Sequence, residues 1–196
     1  MANLEHLRIF REGVTYWNHW RKLNPSVRPD LSNANLSQSR SVDLDDAYDL
    51  YMNGVDFRHV NLRNSNLSEI CLAEADFTLA NLSGSRLQNS NLNRVMFHRT
   101  IIEFTSLDYS TAIHSDFTEA QFGNVQMASL DLSAAKGLGT VRHSAPSRID
   151  LGTLEVIIRG LLVRGVPIEQ KISIEHFLRC SGNEELIEFF DERLCV

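Results

Sequence analysis

DFTLANLSGSRLQNSNLNRVMF, residues 76–97, sets Phe77, Leu82, Leu87, Leu92 and Phe97 five residues apart. Small Ala80, Ser85 and Ser90 stand two places before three of them, and most of what remains is polar. A helix buries a stripe at a period of about 3.6, and a half-buried strand alternates at 2. A period of five fits neither. It calls for a backbone that turns after every five-residue side.

The frame runs unbroken from Phe57 to Leu132, with only Ala112 undersized among its central positions. Two places before each centre the residue is uncharged and mostly small, from Val55 through Ser65, Ala75, Ser85 and Thr105 to Leu130. If both positions point inward and the chain turns between units, four units close a square coil of about twenty residues. Residues twenty apart then stack, and Phe57, Phe77, Phe97 and Phe117 form one all-phenylalanine column. That order at twenty was not built into the reading at five. Each buried Phe contributes about 1.5–3 kcal/mol of transfer free energy, and aromatic pairing adds to it. The fold expected is an all-β solenoid, a right-handed quadrilateral β-helix.

The solenoid region spans 29–136. PDLSNANL (29–36) shows the same motif with centres Leu31 and Leu36, but Leu36 to Phe57 is 21 residues, so an irregular coil is expected near 37–56. Residues 1–28 form an N-terminal capping element: Leu7, Phe10, Val14 and Trp17 define one face of a single helix over about 3–23. Pro25 and Pro29 follow it. Residues 137–152, with Gly137, Gly139 and Pro146, read as a linker. Residues 153–196 read as a helical end-piece, a C-terminal cap or dimerisation element, whose last helix Ser181–Glu184 would cap. Open β-helix ends expose strand edges, and terminal elements of solenoids usually cover them.

The recurring pattern of Glu74-Ala75-Asp76-Phe77-Thr78 and Leu79-Ala80-Asn81-Leu82-Ser83 resembles the pentapeptide-repeat family over about residues 29–136. The flanks TYWNHWRKLNPSVRPDLSNANL and RHSAPSRID are similar to those of bacterial members. The resemblance implies the β-helix but leaves function open. Its best-understood subgroup mimics DNA and binds gyrase, as dimers joined through C-terminal helices.

Net charge is −6 at pI 5.6, which disfavours direct nucleic-acid or anionic-membrane binding. Three scattered cysteines make no disulfide framework. With no membrane-length apolar run, a cytoplasmic protein is expected. Mimicry of DNA needs carboxylates along one face, about one charge per ~1.7 Å of duplex axis. Residues 55–136 hold nine acidic and six basic side chains, a net of −3, so a DNA-mimic inhibitor of gyrase or topoisomerase is the alternative rather than the leading reading.

Asp or Asn usually precedes each centre, as at Asp56, Asn61, Asn66, Asp76, Asn81, Asn91, Asp116 and Asp131. Short polar side chains there bond turn backbone. Cys71, Arg86, Met96 and Ile101 break this slot. In the third coil Met96, Ile101, Phe104, Tyr109 and Ile113 all fall on outward positions. Exposed apolar clusters mark a partner or an internal cover. Two readings stand: a protein-binding surface, or a surface covered by the 36–57 insertion or a terminal helix. Ile187, Phe189, Phe190 and Leu194 offer a candidate homodimer surface. His59, His98, His114 and Cys71 have no triad or metal-ligand setting, and Gly137-Leu-Gly139 lacks the features of a phosphate loop. No catalytic residue, cofactor or metal is expected. The function expected is a non-enzymatic scaffold for an unidentified protein partner.

Overall fold

In a computed structural model of the chain, which describes residues 1–37, 52–164 and 168–194 (side chains of 164, 168 and 191–194 excepted), the backbone returns on itself every twenty residues. Parallel bridges join Asp56 to Asp76, Asn61 to Asn81, Asn66 to Arg86 and Cys71 to Asn91, and the series continues to Asp116 and Lys136. Four bridged positions per turn, separated by tight turns, make a four-sided β-helix. Side one carries centres Phe57, Phe77, Phe97 and Phe117; sides two, three and four follow five residues apart. Its regular strands are short, β1 (Ile101–Glu103) and β2 (Gln121–Gly123) with three residues each and β3 (Gln126–Met127) with two.

The local chemistry repeats with the sequence. From Gly54 to Ser129, the residue two places after every centre has φ between 52° and 73°. This left-handed turn swings the chain through each corner. The Asp or Asn before each centre accepts from the backbone N–H two residues on: Asp76 from Thr78 at 2.9 Å, Asn81 from Ser83 at 3.0 Å, Asp116 from Thr118 at 2.9 Å. Buried hydroxyls donate to the previous coil, Thr100 to the Phe77 carbonyl at 2.7 Å and Ser110 to that of Leu87 at 2.6 Å. Buried polar atoms are thereby paired. The Phe column is fully buried, with successive ring centroids 5.1, 5.4 and 4.9 Å apart.

At the N-terminal end the single helix expected over 3–23 is two: α1 (Leu4–Arg11) and α2 (Val14–Leu23). Gly13 at φ 98°, ψ 166° breaks them, a conformation closed to residues with a Cβ. Phe10 and Trp17 pack on Phe57, extending its column. Trp17 Nε1 donates to the Asp56 carbonyl at 2.8 Å. Asn18 meets both Gly54 O and Asp56 N, so side chains satisfy an edge that would otherwise face solvent.

Asp30 bridges Asn61 and Asn35 bridges Asn66, offsets of 31 rather than 20. Leu36 therefore sits over Leu67, and Met52 N bonds Cys71 O in the position before Leu72. Eleven extra residues enter between Leu36 and Met52, not the one that counting to Phe57 implied. Most of the expected irregular coil, 38–51, lies outside the described residues.

The segment 137–152 is not a plain linker. It holds β4 (Arg142–His143), paired with β2, and β5 (Arg148–Ile149), paired with β3. The offsets are 21 (Gln121 to Arg142) and 22 (Gln126 to Arg148), so the coil continues while the five-residue frame is lost. Gly137 allows this at φ 74°, where a Cβ would lie 2.3 Å from Thr118 N. Helices α3 (Leu151–Arg164), α4 (Ile168–Cys180) and α5 (Glu185–Leu194) follow. Phe177 meets Phe122 edge-on at 5.7 Å, and Gln170 Nε2 donates to the Ala135 carbonyl. The expected Ser181 cap of the last helix is absent: Ser181 Oγ instead donates to Leu178 O at the end of α4.

Candidate functional site

The five apolar outward residues of the third coil do not form one patch. Met96 lies on side one, Ile101 on side two, Phe104 at the corner of sides two and three, Tyr109 at the corner of three and four, and Ile113 at the corner of four and one. Ile101 and Ile113 are half-buried, and Met96 is 44% exposed. Phe104 and Tyr109 are 67% and 64% exposed. Neither is covered by any described part of the chain. These two flank a single side, the third, and that side is the one coherent candidate.

Both rings are held in unusual backbone. Phe104 (φ 53°) and Tyr109 (φ 59°) occupy corner positions that Gly84, Asn64 and Asn89 fill elsewhere. A bulky residue in the left-handed region is uncommon and costs conformational energy of order 1–2 kcal/mol. The stacked coils tolerate it because each corner amide is fixed to the next coil: Phe104 N donates to Gly123 O, and Tyr109 N to Ala128 O, both at 2.7 Å.

Between the two rings runs the outward column of side three: Asn66, Arg86, Ser106, Gln126 and Arg148, joined by successive bridges. At about 4.8 Å per coil, Arg86 and Arg148 stand about 14 Å apart, on either side of the aromatic level. Both are exposed, and neither has an ion-pair partner among the described residues. The nearby carboxylates are committed. Asp108 accepts from Ser106 Oγ (2.7 Å) and Ala128 N (2.8 Å), and Asp150 from Thr153 N (2.7 Å) at the start of α3. Burial alone would raise the Asp150 carboxyl, but its bonds from Thr153 and Ser129 outweigh that and hold it below the ordinary range. Side three thus presents two rings and two exposed guanidinium groups that make no ion pair among the described residues, Arg148 sharing a depression with Asp108 and Asp150. Sequence reading found the rings and Arg86, whereas Arg148 lies past the five-residue frame.

Several other charges pair locally. Arg58 reaches Asp56 at 2.6 Å and Asp76 at 3.7 Å, Arg94 reaches Glu74 at 3.2 Å, and Arg99 and Arg142 reach Glu119 at 2.8 and 3.6 Å. The acidic column of side one, Asp56, Asp76 and Asp116, is interrupted by Met96 and ends at Lys136. Among the described residues no side offers the continuous row of carboxylates that a phosphate backbone would require.

The remaining candidates occupy ordinary structural settings. Cys71 is half-buried and accepts from Asn91 Nδ2 at 3.3 Å. A shallow depression beside Ile113 and His114 contains Glu74 and Arg94, which pair with each other. Among the described residues no three His, Cys, Asp or Glu side chains group as metal ligands, and no helix is long and apolar enough to cross a membrane. The expected dimer surface is corrected in part. Phe190 (0% exposed) and Ile187 (6%) belong to the chain's own core, and Phe189 packs against it. The Leu194 side chain lies outside the described residues. Among the described residues the helical unit exposes apolar Leu151, Leu162, Val163 and Ile172.

Residues 50–78 and 75–110 match the family model for pentapeptide repeats, in eight copies. Over residues 50–110 the chain thus carries repeats similar to those of the pentapeptide-repeat family. Among solved structures it is similar to the pentapeptide repeat protein Rfr23 from the cyanobacterium Cyanothece 51142, at 18% identity over 70% of this chain and 100% of that one, with TM-score 0.41. It is also similar to HetL, a pentapeptide repeat protein involved in heterocyst differentiation regulation in Nostoc sp. PCC 7120, at 17% identity over 61% and 57% of the two chains, TM-score 0.39. A third is QnrB1, a plasmid-mediated fluoroquinolone resistance protein, at 12% identity over 58% and 65%, TM-score 0.35. No curated protein matches. The fold assignment rests on the twenty-residue ladder itself.

Proposed function

We propose that the chain is a non-enzymatic protein-interaction scaffold: a right-handed quadrilateral β-helix, capped by helices at both ends, acting in the bacterial cytoplasm and docking a protein partner on its third side. The observation that carries this reading is the pair of two-thirds-exposed rings, Phe104 and Tyr109, set astride Arg86 and Arg148. Solvent-exposed aromatics and arginines are the residue types that anchor protein interfaces. The partner that fits is an acidic protein surface with an apolar element between its carboxylates, because both guanidinium groups are exposed and make no ion pair among the described residues. The interior is packed with side chains, and a packed core leaves no chamber for catalysis.

The test is affinity capture from a bacterial lysate with the intact chain and three variants. The scaffold reading requires a protein that is retained by the parent chain and by Met96→Asp on side one, but lost with Phe104→Asp and weakened by Arg86→Glu. Loss with Met96→Asp and retention with Phe104→Asp would overturn it. The alternative, a DNA-mimic modulator of gyrase, requires dose-dependent inhibition of supercoiling by purified gyrase. The local neutralisation of Asp56, Glu74 and Glu119 by arginines weighs against that outcome.

A further inference from the structure

At its C-terminal end the aromatic column of side one passes sideways. Phe117 meets Phe122 edge-on at 5.7 Å, and Phe122 meets Phe177 of α4 at the same distance. Into this junction β4 inserts His143. Its ring lies 6.2 Å from Phe122 and 5.3 Å from Phe177, centroid to centroid. Both ring nitrogens are buried and neither has a hydrogen-bond partner among the described residues. A buried imidazole normally bonds at least one nitrogen. Here a titratable ring occupies a place that an aromatic hydrocarbon would fill without cost.

The surroundings all disfavour a proton on that ring. From α4 comes His176, a second group that becomes positive in acid, beside apolar Phe177. From β2 come Phe122 and neutral Gln121. Within β4 itself Arg142 is turned toward Glu119, 3.6 Å away, and the next residue, Ser144, donates to Glu103 at 2.7 Å. The nearby carboxylates are thus engaged by other partners.

We propose that His143 is an acid-sensitive latch: neutral, it seats α4 on the end of the β-helix, and protonated, it releases the helical unit α3–α5 while the repeats stay folded. Burial holds the ring's pKa below its ordinary value, and His176 adds to this. The released state binds the proton and the seated state does not, so seating is favoured at neutral pH and weakens as pH falls below about 6.5. At pH 5.5 the seating equilibrium should fall, by at most about tenfold. Release would bare the last coil, including Phe122 and the backbone that Gln170 and Asn183 now bond.

Hydrogen exchange read by mass spectrometry on the full chain at pH 7.5 and 5.5, corrected for intrinsic exchange, tests this. The expected result is a loss of protection, of up to about tenfold, in peptides from 151–190 at pH 5.5, with peptides from 77–107 unchanged, and no such loss in His143→Leu. Equal protection at both pH values in the parent chain, or the same loss in His143→Leu, would overturn the proposal. If His143→Leu leaves the helices unprotected at both pH values, the NMR titration of His143 in the parent chain decides. A midpoint depressed below 6.5 that coincides with the exchange transition supports the latch, and any other titration refutes it.

Discussion

Phe97 and Phe117, twenty residues apart in the chain, lie with ring centroids 4.9 Å apart and planes within 11°. Their neighbours above and below are also rings, so the column is continuous from Trp17 through Phe57 to Phe177. Truncation in its middle leaves a cavity that the stacked backbones cannot close. Phe97→Ala should cost about 3–5 kcal/mol, and Phe97→Asp should prevent folding, because an unpaired charge would be buried there. Circular dichroism and urea denaturation of the two variants check this.

Phe104 behaves oppositely. It is exposed and in a left-handed corner, so Phe104→Asn should leave stability unchanged or raise it by up to about 1 kcal/mol. The thermal midpoint measures this. A fall of several degrees would show that the ring is packed against some part of the chain.

The seat of α3 depends on a missing side chain. A Cβ at Gly160 would stand 2.1 Å from Ser133 Oγ and 2.5 Å from its Cβ. Gly160→Val should therefore lift α3 from the fourth side and expose peptides 151–190 to limited proteolysis, sparing the repeats. Gly160→Val combined with Ser133→Gly should recover much of the protection.

How much of this could be read from the sequence follows from which side chains the fold constrains by size. Inward positions accept only residues that fill the coil, so Phe77 or Leu82 betrays the frame. The left-handed corner holds Gly, Asn, Glu, Arg or Phe, because its side chain meets solvent and its amide is fixed to the next coil, and so leaves only a weak residue signature. The last coil was illegible for a different reason. One and two added residues around Gly137 and Pro146 shift Arg142 and Arg148 out of the five-residue count while the bridges persist. Gly13 was visible but reads equally as a weak point within one helix. The Phe104–Tyr109 pair was legible from outward slots, and its arginine partner Arg148 was not.

At the other end of the rod, Asp56 joins α2 to the first coil. Burial would raise its carboxyl, but hydrogen bonds from Arg58 and the charges of Arg21 and Arg58 prevail and hold it below the ordinary 3.8. Its folded pKa is depressed, so the stability it contributes is full above 3.8 and is lost as pH falls through the lowered value. Fluorescence of Trp17 and Trp20 should report loosening of α1 and α2 in that acid window. Asp56→Asn should remove the transition.

The twenty-residue ladder gives the surface a property that ordinary folds lack. Moving a side chain by twenty positions translates it one coil along the rod, about 4.8 Å, and leaves its direction nearly unchanged. The molecule is graduated like a ruler, with Asn64, Gly84, Phe104 and Asn124 as successive marks on one edge and Glu69, Asn89, Tyr109 and Ser129 on the next. A recognition element written at one mark can be rewritten at another without redesigning its orientation, and a partner that spans several coils reads distance directly in residue number.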